Sequence, residues 1–409
     1  MNTTFIPQTK SNSNLDFERQ ETNRKPRISM IDALRGFAVM AIVLLHNIEH
    51  FNFYHFPDKT GQAEWLTWMD SKVWETMFLL FGGKTYSIFA VLFGFTFYLM
   101  NHKQQSQEKD FGPRYLWRLL LLFFFACVNA MFFAGEVLLL YSICGIVLFI
   151  GRNWKENTVL IASVCLLAQP MEWYHFIMQS LTENYTMPAK ISSSMWQGVM
   201  DYIKAGNIWE TYSQNLTKGQ LWSLLWAVEN GRFTQTCGLF LLGFWLGKKQ
   251  VFTQFEANKK FWIKSLFIAF IISVPLYFSN NFLNEHPVAN IKNSVGVITD
   301  MWWKLSCTLV WISLFAILYA SPFFQKITKP LVPYGKMSLT NYITQSMIGG
   351  YLYYMYGLGW AAKYGVTYSL IIGIVFFLVQ LGFCHLWLSR FKKGPLEWLW
   401  HKGTWARLR

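Results

Sequence analysis

The feature that most constrains this chain is a series of apolar runs that are long enough to cross a lipid bilayer. A transmembrane helix needs about 20 mostly apolar residues, and runs such as LLLLFFFACVNAMFF, FIAFIISVPLYF and SLIIGIVFFLVQLGF recur along the sequence. These runs do not alternate between apolar and polar residues, as the strands of a membrane β-barrel would. The sequence therefore predicts an all-α fold, a polytopic transmembrane helical bundle.

Composition supports a membrane protein and argues against other classes. Of the 409 residues, 53% are hydrophobic and only 14% are charged, whereas soluble proteins carry about 25% charged residues. The net charge of +14 comes from basic residues in short loops beside apolar runs, so we expect no nucleic-acid partner. The six cysteines form no Cys-x-x-Cys or Cys/His cluster, so we expect neither disulfides nor a metal site.

The apolar runs and their flanking charges predict a topology. Lysine and arginine clusters fall on one side of the predicted spans, and the positive-inside rule makes that side cytoplasmic, together with both termini. We therefore expect a multi-pass protein of the bacterial inner membrane, surrounded by lipid. The sequence does not decide between a monomer and a homo-oligomer. About ten spans fit the ~20-residue window, at roughly 31–51, 75–101, 115–133, 135–151, 158–178, 230–248, 261–281, 295–320, 337–357 and 366–388.

The remaining segments divide the chain around one membrane domain. Residues 1–27 are polar and predict a flexible cytoplasmic tail, and residues 28–409 form a single transmembrane helical domain. Residues 179–229 contain four tryptophans among polar residues, which predicts external helices lying at the membrane interface. Residues 391–409 place proline, tryptophans and basic residues after the last span, which predicts a cytoplasmic amphipathic helix in the headgroup layer.

The first span carries an unusual number of ionisable residues. The stretch IDALRGFAVMAIVLLHNIEHF, residues 31–51, contains Asp32, Arg35, His46, Glu49 and His50. On a continuous α-helix these side chains fall within an arc of about 100°. Ionisable groups inside a span are costly and usually face a cavity or one another. We interpret the stripe as a functional surface turned to the bundle interior, with an ion-pair seam between helices as the alternative.

The same stretch resembles the opening helix of the YeiB-like family, a domain-of-unknown-function membrane family. That family is distantly similar to two groups of transmembrane acyltransferases, the acyltransferase-3 type, which O-acetylates surface glycans, and the lysosomal heparan N-acetyltransferase type. In the first group an Asp-x-x-Arg-Gly opening precedes a His that is held to be catalytic, and Asp32, Arg35 and His46 match this pattern. Further matches to the family are KTYSIFAVLFGFTF (84–97), RLLLLFFFACVNAMFFAGEVLLLYSICGIVL (118–148), GKMSLTNYITQS (335–346) and FKKGPLEWLW (391–400).

The resemblance implies an acyl transfer reaction across the membrane. The donor would be a cytoplasmic acyl-CoA, with acetyl-CoA expected, and the acceptor a hydroxyl or amine on an envelope glycan or lipid-linked molecule. A neutral histidine can take the acceptor proton near pH 7, and a neighbouring carboxylate strengthens it. We therefore expect His46 to act as general base, with Glu49 and His50 as catalytic partners.

Other polar residues are candidates for binding the two substrates. CoA phosphates require cationic side chains near the cytoplasmic face, although ordinary positive-inside anchoring explains two of the arginines equally well. The donor-site candidates are Asp32, Arg35, Lys84, Arg114 and Arg118. The candidates for acceptor contacts are Glu136, Ser338, Asn341 and Gln345, for which a loop-exposed acid and interhelical hydrogen bonds are the alternatives.

The sequence also predicts one helix break and one ion pair inside the apolar runs. Lys84 follows Gly82–Gly83, where a helix break is expected to line a cavity. Asp300 and Lys304 are four residues apart and predict a salt bridge.

A transporter or channel that uses the polar stripe as its pathway is the alternative function. Transporters often contain inverted repeats with paired broken helices, and the sequence offers one clear break, at Gly82–Gly83. This observation favours the enzyme. The third possibility is a structural membrane protein that catalyses no reaction.

Overall fold

The computed structural model describes residues 26–51, 56–182, 185–285 and 288–406. All regular secondary structure in these ranges is helical, so the predicted all-α fold is confirmed. The predicted N-terminal tail lies almost entirely outside the described residues.

The α-helices are numbered here in chain order. The first ten are α1 (Pro26–Leu45), α2 (Glu64–Leu80), α3 (Thr85–Gln105), α4 (Gly112–Phe132), α5 (Leu138–Cys144), α6 (Ile146–Gly151), α7 (Glu156–Leu167), α8 (Pro170–Leu181), α9 (Ile191–Lys204) and α10 (Ile208–Gln214). The others are α11 (Gln220–Glu229), α12 (Arg232–Lys248), α13 (Phe255–Asn284), α14 (Ala289–Asn293), α15 (Val295–Leu318), α16 (Pro322–Thr328), α17 (Leu331–Lys336), α18 (Ser338–Tyr353), α19 (Val366–Arg390) and α20 (Pro395–Trp405). Two π-helical turns, His46–His50 and Asn215–Gly219, follow α1 and α10, and a 3₁₀ turn, Trp360–Ala362, precedes α19.

Six helical segments in the described ranges are long and apolar enough to cross a membrane. They contain α1, the pair α2 and α3, α4, α13, α15 and α19. The other predicted spans coincide with shorter or broken helices, namely α5 with α6, α7 with α8, α12 and α18. The protein is therefore a helical protein with several membrane-spanning-capable segments.

Three breaks interrupt apolar stretches in the described chain. The predicted break at Gly82–Gly83 is present between α2 and α3, and Gly83 has a φ of 71°, which favours glycine. A second break separates α5 from α6 at Gly145. The third lies before Pro170, where Gln169 is left-handed with a φ of 63°. The last two breaks divide stretches that the sequence predicts as continuous spans.

Helix α1 lies at the centre of the bundle. It packs against α3, α15, α17, α18 and α19, and 67% of its most apolar window is buried, against 17% for α13. The contact with α17 is close because Gly36 and Gly335 face each other. A Cβ atom on Gly335 would lie 1.9 Å from the Asp32 carbonyl oxygen. The side chains of α1 therefore face protein on nearly every side.

A second close crossing joins α3 to α12. A Cβ atom on Gly94 would lie 1.9 Å from the Phe240 carbonyl oxygen, and one on Gly243 would lie 1.9 Å from that of Val91. Small residues let helix backbones approach closely where lipid gives no hydrophobic driving force. This crossing fixes the start of α3, with Lys84, beside the start of α12, with Arg232.

The segment 179–229 is helical, as predicted, and it packs on the bundle. Its helix α9 contacts both α10 and α11, and α10 and the following π turn contact α4. Val199, Met200 and Ile203 are buried with Phe51 and Phe133 in a shared apolar cluster. This segment therefore covers the end of the bundle at which α1 finishes.

The C-terminal helix α20 begins at Pro395, as the sequence predicts, and it docks on the opposite end. Arg114 donates to the Thr404 carbonyl at 2.8 Å, and the Trp117 indole donates to the Gly403 carbonyl at 2.9 Å. The Glu397 carboxylate accepts from the Thr340 amide and hydroxyl. These bonds tie α20 to both α4 and α18.

Candidate functional site

The first helix changes its winding where its polar stripe reaches the covered end. Residues His46–His50 form a π-helical turn, and such turns are frequent at functional sites. The Asn47 amide donates to the Val43 carbonyl at 2.7 Å and accepts from the Tyr353 hydroxyl at 3.0 Å, which ties the turn to α18. The angular positions calculated for a continuous α-helix are therefore wrong beyond Leu45. The His50 side chain lies outside the described part of the structure.

A cavity of about 970 Å³ begins beside this turn. Its lining joins α1, α2 and α3 with the segment 179–229 and with α12, α13, α15 and α18. The ionisable residues that line it are His46, Glu49, Glu75, Lys84, Glu136, Arg232, Asp300 and Lys304. The aromatic residues that line it are Phe78, Tyr86, Trp196, Trp222, Trp226, Tyr277, Trp303 and Tyr342. Four of the sequence-predicted site residues thus meet in one place: His46, Glu49, Lys84 and Glu136.

His46 is held on the cavity wall by aromatic rings. Only 9% of the residue is exposed. Its ring centroid lies 5.4 Å from that of Phe51, 5.3 Å from that of Phe133 and 6.0 Å from that of Tyr342. Close aromatic packing restricts the imidazole to one orientation, which is a requirement for a positioned proton acceptor.

Glu136 lies in the connection between α4 and α5, outside the helices of spanning length. The residue is 2% exposed, so the alternative of a loop-exposed acid is wrong. Its carboxyl accepts from the Asn129 side-chain amide and from the Leu138 backbone amide. Burial raises the pKa of Glu136 to about 8. The carboxyl is therefore mostly protonated at neutral pH, and it can donate as well as accept a hydrogen bond.

Lys84 also lines the cavity and is fully buried. Its Nζ donates to the Phe78 carbonyl at 2.9 Å and lies 3.8 Å from the centroid of the Trp303 ring. The predicted salt bridge between Asp300 and Lys304 is present beside it. Lys84 therefore belongs to the cavity, and the structure does not group it with the other donor-site candidates.

Arg232 is a cavity residue that the sequence reasoning missed. It is the first residue of α12, and its guanidinium carbon lies 4.5 Å from the Tyr86 ring centroid and 5.1 Å from that of Trp226. Its Nε is buried and has no hydrogen-bond partner in the described ranges. A single arginine at the first residue of an apolar run does not stand out in the sequence. The signal that could have identified it is the preceding Asn230–Gly231 turn, because Gly231 adopts a φ of 68° and directs the chain into the cavity wall.

The remaining donor-site candidates lie at the other end of the bundle and already have protein partners. Arg35 donates to the Asp32 carboxylate at 3.1 Å and to the Thr96 hydroxyl at 3.1 Å, so the ion pair of the alternative reading is present. The Arg118 guanidinium lies 3.4 Å from the Trp400 ring centroid, and Arg114 bonds to α20 as described above. The structure therefore assigns Arg114 and Arg118 an anchoring contact with the C-terminal helix.

The three candidates on α18 do not line the cavity. The Asn341 amide donates to the Tyr334 carbonyl at 3.0 Å and contacts the Cys384 thiol at 3.3 Å, so it forms the interhelical bonds of the alternative reading. Ser338 is half-buried. Gln345 is fully buried, and neither of its amide atoms has a partner in the described chain. Their contact with an acceptor therefore stays a prediction from the sequence.

These features define a polytopic helical membrane protein with a charged, aromatic-lined cavity at one end of the bundle. Residues 246–407 match the family described as protein of unknown function (DUF418). No solved structure matches the chain.

Bacterial relatives extend this similarity to almost the whole chain. The uncharacterized protein YxaH of Bacillus subtilis (strain 168) is 25% identical, covering 94% of this chain and 96% of the relative. The uncharacterized protein YeiB of Escherichia coli (strain K12) is 24% identical, covering 91% of this chain and 95% of the relative. The resemblance to the YeiB-like family is therefore confirmed.

Proposed function

We propose that this protein is a membrane acyltransferase that moves an acyl group from acyl-CoA, with acetyl-CoA as the expected donor, to a cell-envelope acceptor. The observation that carries the proposal is the position of His46 and Glu49 on a π turn that lines the cavity. Ligand sites typically measure about 300–1,000 Å³ and combine apolar walls with a few polar groups. The cavity fits that description, and its tryptophan-rich wall suits a sugar or a lipid headgroup.

In the proposed reaction His46 is the general base. Its neutral imidazole accepts the proton of the acceptor hydroxyl or amine while that atom attacks the thioester carbonyl carbon. The new carbon–oxygen or carbon–nitrogen bond forms, the carbon–sulfur bond breaks, and the CoA thiolate leaves with the proton that His46 returns. Glu49, one turn further on, stabilises the imidazolium that exists between the two transfers.

The proposed topology has ten spans, with both termini in the cytoplasm of a bacterium and the cavity on the outer side of the inner membrane. Acyl-CoA would then approach from the end that holds Arg35, Arg114 and Arg118. Because α20 occupies Arg114 and Arg118, donor binding through these two arginines requires α20 to move away from α4.

The test is acyl transfer by the purified protein in lipid, with radiolabelled acetyl-CoA as donor and extracted envelope lipids and glycans as acceptors. Loss of a general base typically lowers the rate by about 10²–10⁴-fold, and His46→Ala should show a loss of this size. His102→Ala is the matched control, because His102 is exposed and does not line the cavity. Full transfer by His46→Ala would reject the mechanism, and no labelled product with the wild type would reject the reaction class.

A transporter is the second candidate, and the three helix breaks favour it. Broken helices line the substrate sites of many secondary transporters, and the break at Gly82–Gly83 lines the cavity. The sequence argued against a transporter because it offered a single break. The three breaks in the described chain weaken that argument. Substrate flux into proteoliposomes without acyl-CoA, reduced by His46→Ala, would identify the transporter in place of the enzyme.

A further inference from the structure

The cationic side chains of the cavity converge on the break between α2 and α3. A Cβ atom on Gly83 would lie 2.8 Å from Lys304 Cε and 3.4 Å from Arg232 Nη2, and Lys84 is the next residue. Three cationic side chains gathered around one glycine repel one another, and the cost grows when the surroundings exclude water. This arrangement therefore requires compensating negative charge.

The carboxylates of the cavity supply only part of that charge. Asp300 is engaged by Lys304. Glu75 is exposed and pairs with Lys72 at 2.7 Å, and the Glu136 carboxyl is mostly protonated at neutral pH. Glu49 is then the remaining carboxylate of the lining, against the two cations Lys84 and Arg232. One positive charge is left in excess.

Arg232 and Lys84 also retain unused hydrogen-bond donors. A guanidinium has five N–H donors, and none of those on Arg232 bonds to a described residue. The Lys84 ammonium has three donors, of which one bonds to the Phe78 carbonyl. The rings of Tyr86 and Trp226 hold the Arg232 guanidinium in place, and arginine held in this way is suited to bind a phosphate with two parallel bonds.

The rim of the cavity is apolar on one part and polar on another. Leu79 is 49% exposed at the rim, while Glu75 and Ser193 are exposed polar residues of the same lining. An opening of this kind admits a ligand with a polar head and an apolar chain, as well as a wholly polar one.

We propose that the cavity binds the phosphate group of a glycerol- or sugar-phosphate, with Arg232 and Lys84 as its ligands and Trp226 and Trp303 as supporting walls. The inference rests on the proposed function, since it names the acceptor as a phosphate-bearing alcohol whose hydroxyl would face His46. Lipid headgroups and soluble phosphates share this chemistry, and the experiment distinguishes them.

The experiment measures binding to the full-length protein in detergent, without acyl donor. Isothermal titration compares glycerol 3-phosphate with glycerol, and native mass spectrometry compares phosphatidylglycerol with diacylglycerol. Each phosphate-bearing probe is matched to a neutral probe of the same skeleton. Tighter binding of both phosphate probes identifies a site open to soluble phosphates, and tighter binding of phosphatidylglycerol alone identifies a lipid-headgroup site. If neither phosphate probe binds more tightly than its neutral partner, the proposal is overturned.

Variants locate the site. Arg232→Gln should weaken binding of the phosphate probe by about 10–100-fold, the usual size for a charged hydrogen bond, and Lys84→Gln should weaken it in the same direction. Arg390→Gln, an exposed arginine at the end of α19, is the matched control and should bind as the wild type does. Unchanged binding by both Arg232→Gln and Lys84→Gln would overturn the assignment. His46→Ala should keep phosphate binding even where it loses acyl transfer, so failure of the site and failure of the reaction are separable.

Discussion

The buried carboxyl of Glu136 makes the stability of the folded protein depend on pH. Its folded pKa of about 8 exceeds the ordinary value of 4.5 because burial disfavours the charge. Between about pH 5 and pH 8 the folded protein therefore holds a proton that the unfolded chain has lost. The contribution of Glu136 to the free energy of unfolding therefore falls as the pH rises from about 5 to 8.

Glu136→Gln should remove this pH dependence. Glutamine stays neutral and can still accept from the Leu138 amide, and rotation of the Asn129 amide lets its otherwise unpartnered Oδ1 accept from the new side chain. The melting temperature of Glu136→Gln relative to the wild type should therefore rise steadily from pH 5 to pH 8, measured by thermal unfolding in detergent.

Glu75→Gln is the control for this experiment. Glu75 is exposed and pairs with Lys72 at 2.7 Å, so burial does not disfavour its charge in the folded protein. Its melting temperature relative to the wild type should therefore stay constant over the same range. A constant difference for Glu136→Gln as well would show that this carboxyl is ionised in the folded protein at neutral pH.

The sequence identified some residues of the candidate site, and there are physical reasons why it could not identify the others. His46, Glu49 and Lys84 could be found because ionisable residues inside apolar runs are rare and costly. The sequence left two roles open for Asn341, because amides serve interhelical bonds and ligand contacts equally well, and periodicity does not separate the two. Arg232 was missed because its role depends on the rings of Tyr86 and Trp226, which reach it only through the fold.

At the scale of elements, the crossing of α3 and α12 depends on glycine. Gly94→Ala should destabilise the protein by about 1–3 kcal/mol, the usual cost of overpacking, because the new Cβ would meet the Phe240 carbonyl oxygen at 1.9 Å. Gly382→Ala is the matched control, since no atom lies within 4 Å of a Cβ there and alanine is the better helix former by about 0.5–1 kcal/mol. Chemical unfolding in detergent should place the two variants on opposite sides of the wild type.

The docking of α20 gives a second prediction at this scale. Trp400→Ala removes the ring that stacks on Arg118 and the indole that donates to the Arg118 carbonyl at 3.2 Å. Amide hydrogen exchange across Pro395–Trp405 should then become at least about tenfold faster, as expected from the loss of a contact of about 1.4 kcal/mol or more. Trp398→Ala is the control, because Trp398 is 52% exposed. Equal exchange in the two variants would contradict the anchoring contact.

Long apolar helices were the easiest elements to predict, because length and composition define them. The breaks at Gly145 and Gln169 were missed, since each is a single residue within a strongly apolar stretch. The break at Gly82–Gly83 was found because two adjacent glycines and a lysine interrupt the run. Local sequence reports helix content well, but tertiary packing decides whether an apolar run stays straight.

At the scale of the whole molecule, the charge distribution predicts that segment 179–229 is outside the cell. In a variant whose six native cysteines are replaced, a cysteine at Ser193 should react with an impermeant maleimide added to intact cells, and one at Ser106 should not. Both serines are exposed in the structure, so access differs only by the side of the membrane. Permeabilised cells should label both positions, and the reverse pattern in intact cells would reject the topology.

The central position of α1 has a consequence for how the protein is made. Helix α1 is enclosed by α17, α18 and α19, which are translated about 300 residues later. At roughly 5–20 residues per second, the interval is on the order of 15–60 s. During that time Asp32, Arg35, His46 and Glu49 have none of these late partners beside them. Insertion of this protein therefore requires that the translocation machinery, or an early helix such as α3, shelter the first span from lipid until the chain is complete.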